Sequence, residues 1–440
     1  MGDEIREEAA RAISSESPRA LREGAGRTAE LLAWLRQASP EQRRALVAAC
    51  LGWMLDSMDV MLYAMVLAHL MRDLQMSPSQ AGLLGSLTLL ASAVGGILFG
   101  LLADRIGRTK ALMASILIYS VFTAACGLAQ SITQLAVFRI LLGLGMGGEW
   151  ATGAALVSET WPAEHRGKAL GIVQSSWAVG YALAAAITAL ILPRYGWRAV
   201  FFFGVLPALL TFWIRRAVEE PALWKSAQRE HTLAQAPAPR IVELFRRRFL
   251  RHTLTTTLMN TSSMFAWWGL FTWIPAYLAL PPDRGGAGLS IVQTSTWVIL
   301  MQVGMWLGYV TFGFVSDWVG RRPTYLVYFL VAAALVPIYG GTRHPLLLLL
   351  LGPAVAFFGT GYFSGFGAIT AELFPTRIRA TAQGFTYNFG RGVSALAPFA
   401  VGHYAQAYGL GIAFSLTTIA FLIAAAFALA LPETKGRALE

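Results

Sequence analysis

The chain has 440 residues, 56% of them hydrophobic and only 13% charged, with a mean hydropathy of +0.54. An ordinary soluble domain is about 45–50% apolar and about 25% charged, so this composition excludes a soluble enzyme, a disordered chain and a nucleic-acid binder. The formal net charge is +11, from 35 Lys+Arg against 24 Asp+Glu, and its meaning depends on where those charges fall.

Residues 1–44 carry mixed charges and no signal-type apolar run, and are expected to form a cytoplasmic tail with one short amphipathic stretch (Leu31, Leu32, Trp34, Leu35). Crossing a ~30 Å hydrocarbon core takes about 20 apolar residues. Apolar runs predict twelve such helices, near 44–70, 79–103, 111–129, 134–158, 168–192, 198–217, 252–280, 291–316, 324–341, 346–371, 380–404 and 410–431. Ser39 with Gln42, and Ser77 with Gln80, have the spacing of capping boxes. The longest polar interruption, 218–250, divides the chain into a first bundle (45–217), a cytoplasmic central loop and a second bundle (251–431), followed by a cytoplasmic end at 432–440.

Arginine and lysine set orientation. With the N-terminus inside, 28 of them lie on the cytoplasmic side, 5 (Arg72, Arg194, Arg198, Arg284 and Arg343) lie on the other, and Arg139 and Arg391 fall within spans. The positive charge is therefore a topology signal, with both termini cytoplasmic.

One pattern occurs twice. Asp104-Arg105-Ile-Gly107-Arg108 follows the second span and Asp317-Trp-Val-Gly320-Arg321 follows the eighth; Glu159-Thr-Trp-Pro162 with Arg166 follows the fourth, and Glu372-Leu-Phe-Pro375 with Arg379 follows the tenth. Each pair is offset by 213 positions, which implies two six-helix halves built on one plan and facing the same way. The arginines can bridge to Glu159 and Glu372, forming a cytoplasmic latch between the halves; the plainer alternative is that they are topology determinants and helix caps.

These loops, the fourth-span run Arg139-Ile-Leu-Leu-Gly143-Leu-Gly145-Met-Gly147-Gly148-Glu149 and the closing Pro432-Glu433-Thr434-Lys435-Gly436-Arg437 resemble the major facilitator superfamily over about residues 45 to 437. Asp56-Ser57-Met58-Asp59 resembles span one of aromatic-acid:proton symporters. Met146-Gly147-Gly148-Glu149-Trp150 is similar to the sialate and lactate:proton branch, and Asn388-Phe-Gly390-Arg391 resembles span eleven of both, and of organic-ion carriers. The resemblance implies an all-α fold of two pseudo-symmetric bundles, alternating access and proton-coupled uptake of small carboxylates. Ser57 stands where the aromatic-acid group usually has glycine, which turns the expectation away from aromatic acids.

Ionisable groups within spans are expensive and usually functional. Asp56 and Asp59 share one face of span one. Asp59 and Arg139 both lie roughly 21–22 Å from the cytoplasmic side at 1.5 Å per residue, so depth allows their contact, and in the resembled family the equivalent pair couples a proton to transport. Asp56 reads as a second proton site or a backbone-bonded helix group, and Glu149 as a proton site or a bond to a neighbouring helix. Arg391 has no acidic residue in its own or neighbouring runs of the second half, so its planar fork is expected to hold a substrate carboxylate; the alternatives are carbonyls at a helix break near Gly390, or Asp56 or Asp59 across the cavity.

Asn388 and Tyr387 share the Arg391 face. Gln174, Asn260, Trp267 and Gln302 are further substrate contacts, with Ser175, Trp268, Trp273 and Tyr309 beside them, and His403 reads as interfacial. The two cysteines and six histidines show no metal-ligand spacing; no cofactor is expected and the proton serves as coupling ion. The expectation is a monomeric carrier in a bacterial inner membrane that symports a proton with a small organic anion, a monocarboxylate such as lactate. Aromatic acids, sialate and neutral sugars or polyols are the alternatives within transport; a non-transporting sensor on a carrier fold is the alternative outside it.

Overall fold

The computed structural model describes residues 35–221 and 241–435. Leu31, Leu32 and Trp34 of the expected amphipathic stretch lie outside the described residues, as do the side chains of Asp104, Arg166 and Arg379. The first half contains α1 (Pro40–Asp73), α2 (Pro78–Ile106), α3 (Arg108–Cys126), α4 (Ile132–Thr160), α5 (Ala163–Phe202) and α6 (Leu206–Ala217). The second contains α7 (Arg247–Phe271), α8 (Ile274–Ala279), α9 (Ile291–Val319), α10 (Arg321–Gly341), α11 (Pro345–Thr360), α12 (Phe363–Leu373), α13 (Thr376–Ser394), α14 (Ala397–Tyr408), α15 (Leu410–Ala413) and α16 (Ser415–Ala430).

Nine helical stretches among the described residues are long and apolar enough to cross a membrane. One of them, Lys168–Ala217, has 50 residues, about 75 Å at 1.5 Å per residue. That is two crossings, and Gly196, with a φ of +75°, breaks it between them. The α7–α8 and α13–α14 crossings fall short by composition because they carry polar side chains inward. Both are also broken, ahead of Pro275 and Pro398, where the missing N–H leaves no helical bond to continue.

The repeat governs structure as well as motif. α2 and α9 begin and end 213 positions apart, α4 matches α11 plus α12 at both ends, and α3 and α5 start 213 positions before α10 and α13. Both expected capping boxes form, and a third, Ser290 with Gln293, is the second-half copy of Ser77 with Gln80.

Within the first half, α2 and α3 pack on α4, and α1 on α5; within the second, α9 packs on α11, α7 on α13 and α16, and α10 on α16. The halves meet along α5–α9, α2–α13, α2–α14 and α1–α8. The small-residue stripe of α4 sets its distance from α2. A Cβ on Gly143 would stand 2.3 Å from the Thr88 carbonyl, and one on Gly147 would stand 1.9 Å from the Ser92 carbonyl, so only glycine permits this approach. Large apolar side chains such as Ile97, Leu190, Phe212, Leu350 and Ile419 are exposed, while Asp56, Asp59, Glu149, Arg139 and Arg391 are buried. That inversion suits a molecule solvated by lipid.

Candidate functional site: an aromatic cage between the halves

A small, nearly closed cavity lies between the halves, lined from the first half by Trp53 (α1), Gln174 and Trp177 (α5), and from the second by Met264, Trp267, Trp268, Tyr309, Phe363, Tyr387 and Arg391. Its wall is a continuous aromatic chain. The Trp53 ring lies 4.7 Å from Trp177, Trp177 lies 5.8 Å from Trp267, and Trp267 lies 4.6 Å from Trp268 and 6.1 Å from Phe363. Trp150 supports the wall from behind, 4.6 Å from Trp53 and 6.0 Å from Tyr387. Such tilted and edge-on rings suit offset stacking with a further planar ring.

Arg391 is the one permanently charged group in that wall. It is buried, and its Nε and Nη2 have no protein hydrogen-bond partner. Of the alternatives named for it, Asp56 across the interface is near enough for its charge to act on Arg391, and Glu149, which was not among them, is as well. All four oxygens of those two carboxylates also lack hydrogen-bond partners. Glu149 lies against α1, where a Cβ on Gly52 would come within 2.4 Å of its Oε1.

Asp59 and Arg139 do not form the expected contact. The two carboxylate oxygens of Asp59 have no hydrogen-bond partner, and Oδ1 faces the side of Thr123 and Gly204. Arg139 instead lays its guanidinium over the Tyr63 ring, 3.7 Å from the centroid. Depth was matched, but helix rotation was not: α1 turns Asp59 toward α3, while Tyr63, one turn later, takes the arginine.

Among the other expected contacts, Gln174, Trp267, Trp268, Tyr309 and Tyr387 reach the cavity wall, and Gln174 meets Tyr309 across the interface. Asn388, Asn260 and Gln302 are not brought to it. Asn388 Nδ2 donates to the Gly384 carbonyl and Gln302 Nε2 to the Val298 carbonyl, each within its own helix. Ser175 bonds the Ile172 carbonyl, and Trp273 Nε1 donates to the Pro398 carbonyl. His403 is exposed and stacks on Phe399. Sequence reasoning missed Trp53 and Trp177, although each sits three residues from a residue already singled out (Asp56 and Gln174) and so shares its helix face. It also missed Phe363 and Met264, which carry no pattern that separates them from core.

Ser57 is buried away from the cavity, its hydroxyl donating to the Trp177 carbonyl at 2.7 Å. It ties α1 to α5 at the backbone of Trp177, a residue of the cavity wall.

At the ends of α2 and α9 the loops are built alike. Arg108 Nη2 lies 2.9 Å from Glu159, and Arg321 Nη2 lies 2.9 Å from Glu372. These two pairs close within their own halves, whereas a latch was expected between halves. Arg105 is exposed, and Arg321 also binds Asp317 and Ser316. Gly107 and Gly320, with φ of +111° and +122°, hold the turns. The backbone N–H groups that open α3 and α10 donate to Glu220 and Glu433 respectively. Partial burial pushes the Glu433 carboxyl up, but N–H bonds from Lys435, Arg321, Arg322 and Thr434 outweigh it and hold the group below its usual range.

A family profile described as Major Facilitator Superfamily matches residues 49–281, and one described as Sugar (and other) transporter matches 344–440. The chain belongs to the major facilitator superfamily. It is 34% identical over 418 residues to a probable 4-methylmuconolactone transporter of Cupriavidus pinatubonensis, covering 93% of this chain and 95% of the relative. It is 32% identical over 391 residues to the sialic acid transporter NanX of Escherichia coli, covering 88% and 94%. The xylose transporter XylE of E. coli, solved in a partially occluded inward-open conformation, shares the fold with a TM-score of 0.72 at 19% identity, over 91% of this chain and all of that one. The protein is thus a multi-pass membrane transporter with the twelve-helix fold, not an enzyme, and its relatives carry small organic anions.

Proposed function

We propose that this transporter symports a proton with a planar, aromatic monocarboxylate. The observation that carries the reading is one arginine set in a cage of four tryptophans at the junction of the halves. The guanidinium fork suits a carboxylate held by two parallel bonds, and the indoles suit a ring. Lactate, the size class favoured by sequence, would leave most of this wall untouched. A sialic acid, carried by one relative, would set its hydroxyls against indole faces, and a neutral sugar would leave Arg391 without its anion.

Proton coupling is supported by Asp56, Asp59 and Glu149, three buried carboxylates without hydrogen-bond partners. Buried carboxylates cannot all stay ionised beside one another, so the cluster can take up a proton on one side and release it on the other. Asp56 and Glu149 act on Arg391, so substrate carboxylate and protein carboxylates compete for one cation. Protonation favours the substrate, and loss of the proton helps to expel it.

The test is uptake into liposomes under an imposed pH gradient, with labelled benzoate, lactate, sialate and glucose. Accumulation of benzoate that a protonophore abolishes is the expected result. Uptake of lactate or sialate without benzoate overturns the aromatic assignment, and uptake of glucose alone ends the anion reading.

A further inference from the structure

On the side of the cage away from the signature loops, the halves are in contact. There α1 packs on α8. A Cβ on Gly82 of α2 would come within 2.3 Å of the Pro398 carbonyl, and one on Gly402 of α14 within 2.3 Å of the Pro78 carbonyl. Among the described residues, two hydrogen bonds join the halves in this region, Tyr181 to Phe271 and Phe399 to Ser86. Each meets a backbone group that a helix break has freed.

The first break precedes Pro275, which has no N–H to offer the Phe271 carbonyl four residues earlier. Tyr181 of α5 is buried and donates its hydroxyl to that carbonyl at 3.0 Å. The second break precedes α14, a helix start whose first N–H groups have no partner in their own helix. Its N-cap is Leu396, and no side chain caps it from there. Ser86 of α2 takes the capping role from the other half, its Oγ accepting from the Phe399 N–H at 3.1 Å. Tyr181 stands four residues beyond Trp177, and Phe271 four beyond Trp267, so the Tyr181 bond lies one helical turn past the cage wall.

We infer that Tyr181 and Ser86 are gating residues, a paired lock that holds this face of the cage shut and is released once in each transport cycle. Opening the face parts the halves and so breaks both bonds. The Phe271 carbonyl and the Phe399 N–H are then left to water, because Pro275 supplies no N–H and Leu396 no side-chain acceptor. The lock rests on the transporter assignment alone and takes nothing from the identity of the substrate.

Spin labels on the full chain in lipid nanodiscs test it. Gln130 and Gln406 are exposed positions at this face, one on each half. Each is replaced by Cys, with Cys50→Ala and Cys126→Ala removing the native thiols. Double electron–electron resonance then reads the distance between them without substrate. The wild type is expected to show mainly the short, closed distance. Tyr181→Phe and Ser86→Ala each remove one hydroxyl, and each should raise the ratio of long to short distances about three- to tenfold. Thr188→Ala removes a buried hydroxyl that bonds the Ala184 carbonyl of its own helix, and should keep the wild-type distances. Wild-type distances in either Tyr181→Phe or Ser86→Ala overturn the paired lock. An equal shift in Thr188→Ala overturns it as well, since the effect is then a general loosening. Failure of the lock leaves the proposed function standing, and failure of benzoate uptake leaves the lock standing.

Discussion

Arg321 and Glu372 stand 2.9 Å apart, the distance that Arg108 and Glu159 keep 213 positions earlier. The second copy is the more embedded. Glu372 also accepts from Thr434 at 2.5 Å, and Arg321 also binds Ser316 and Asp317. The two halves thus share a loop architecture, but the second half is tied to the closing Pro432-Glu433-Thr434 segment through it.

Removing one partner of a largely buried pair strands the other. Arg321→Ala and Arg108→Ala are each expected to destabilise by about 1–2 kcal/mol, after discounting for partial exposure. The pair swap Arg321→Glu with Glu372→Arg should recover part of the loss. Thermal unfolding of detergent-solubilised protein, followed by tryptophan fluorescence, reads all three; no loss in either arginine variant would show that these pairs contribute nothing to stability.

Glu433 gives a pH dependence with a defined sign. Its folded carboxyl titrates below the unfolded value of 4.5, so the unfolded state binds the proton more readily. Its stabilisation is therefore complete above about pH 4.5 and fades as pH falls through the lower, folded value. Glu433→Gln should unfold earlier than wild type at pH 7, and the gap should close in the acid range. A gap that widens on acidification would contradict the capping account.

Helix spacing in the first half rests on the α4 stripe. Gly147→Ala forces a methyl against the Ser92 carbonyl and is expected to cost more than about 4 kcal/mol, abolishing monodisperse protein. Gly171→Ala meets nothing within 4 Å, and should change stability by less than about 1 kcal/mol, in the favourable direction. Size-exclusion profiles of the two variants make the comparison.

Coupling and substrate binding should separate. Asp59→Asn is expected to keep substrate exchange across liposomes at equal pH and to lose accumulation driven by a pH gradient. Trp267→Ala should weaken benzoate at least tenfold, since an aromatic contact of this kind contributes about 1 kcal/mol beyond its buried area. Unchanged gradient-driven accumulation in Asp59→Asn would remove that carboxylate from the proton path.

Composition and periodicity alone carried the membrane assignment, the twelve crossings and the two-fold repeat, because a bilayer demands long apolar helices and a duplicated plan repeats its loop glycines, acids and arginines at one offset. The intramembrane charges were legible for the same reason: in an apolar run, each of Asp56, Asp59, Arg139, Glu149 and Arg391 stands out. Their partners were not. Sequence gives depth along a helix but not the rotation of one helix against another, so it paired Asp59 with Arg139 where the fold turns one toward Thr123 and lays the other on Tyr63. For Arg391 it offered Asp56 or Asp59 across the cavity only as an alternative to a substrate, whereas the meeting of the halves sets Asp56 and Glu149 within its field. Trp53 and Trp177 looked like any buried aromatics until packing brought them, from two helices of the first half, onto the same cavity as Trp267 and Trp268 of the second.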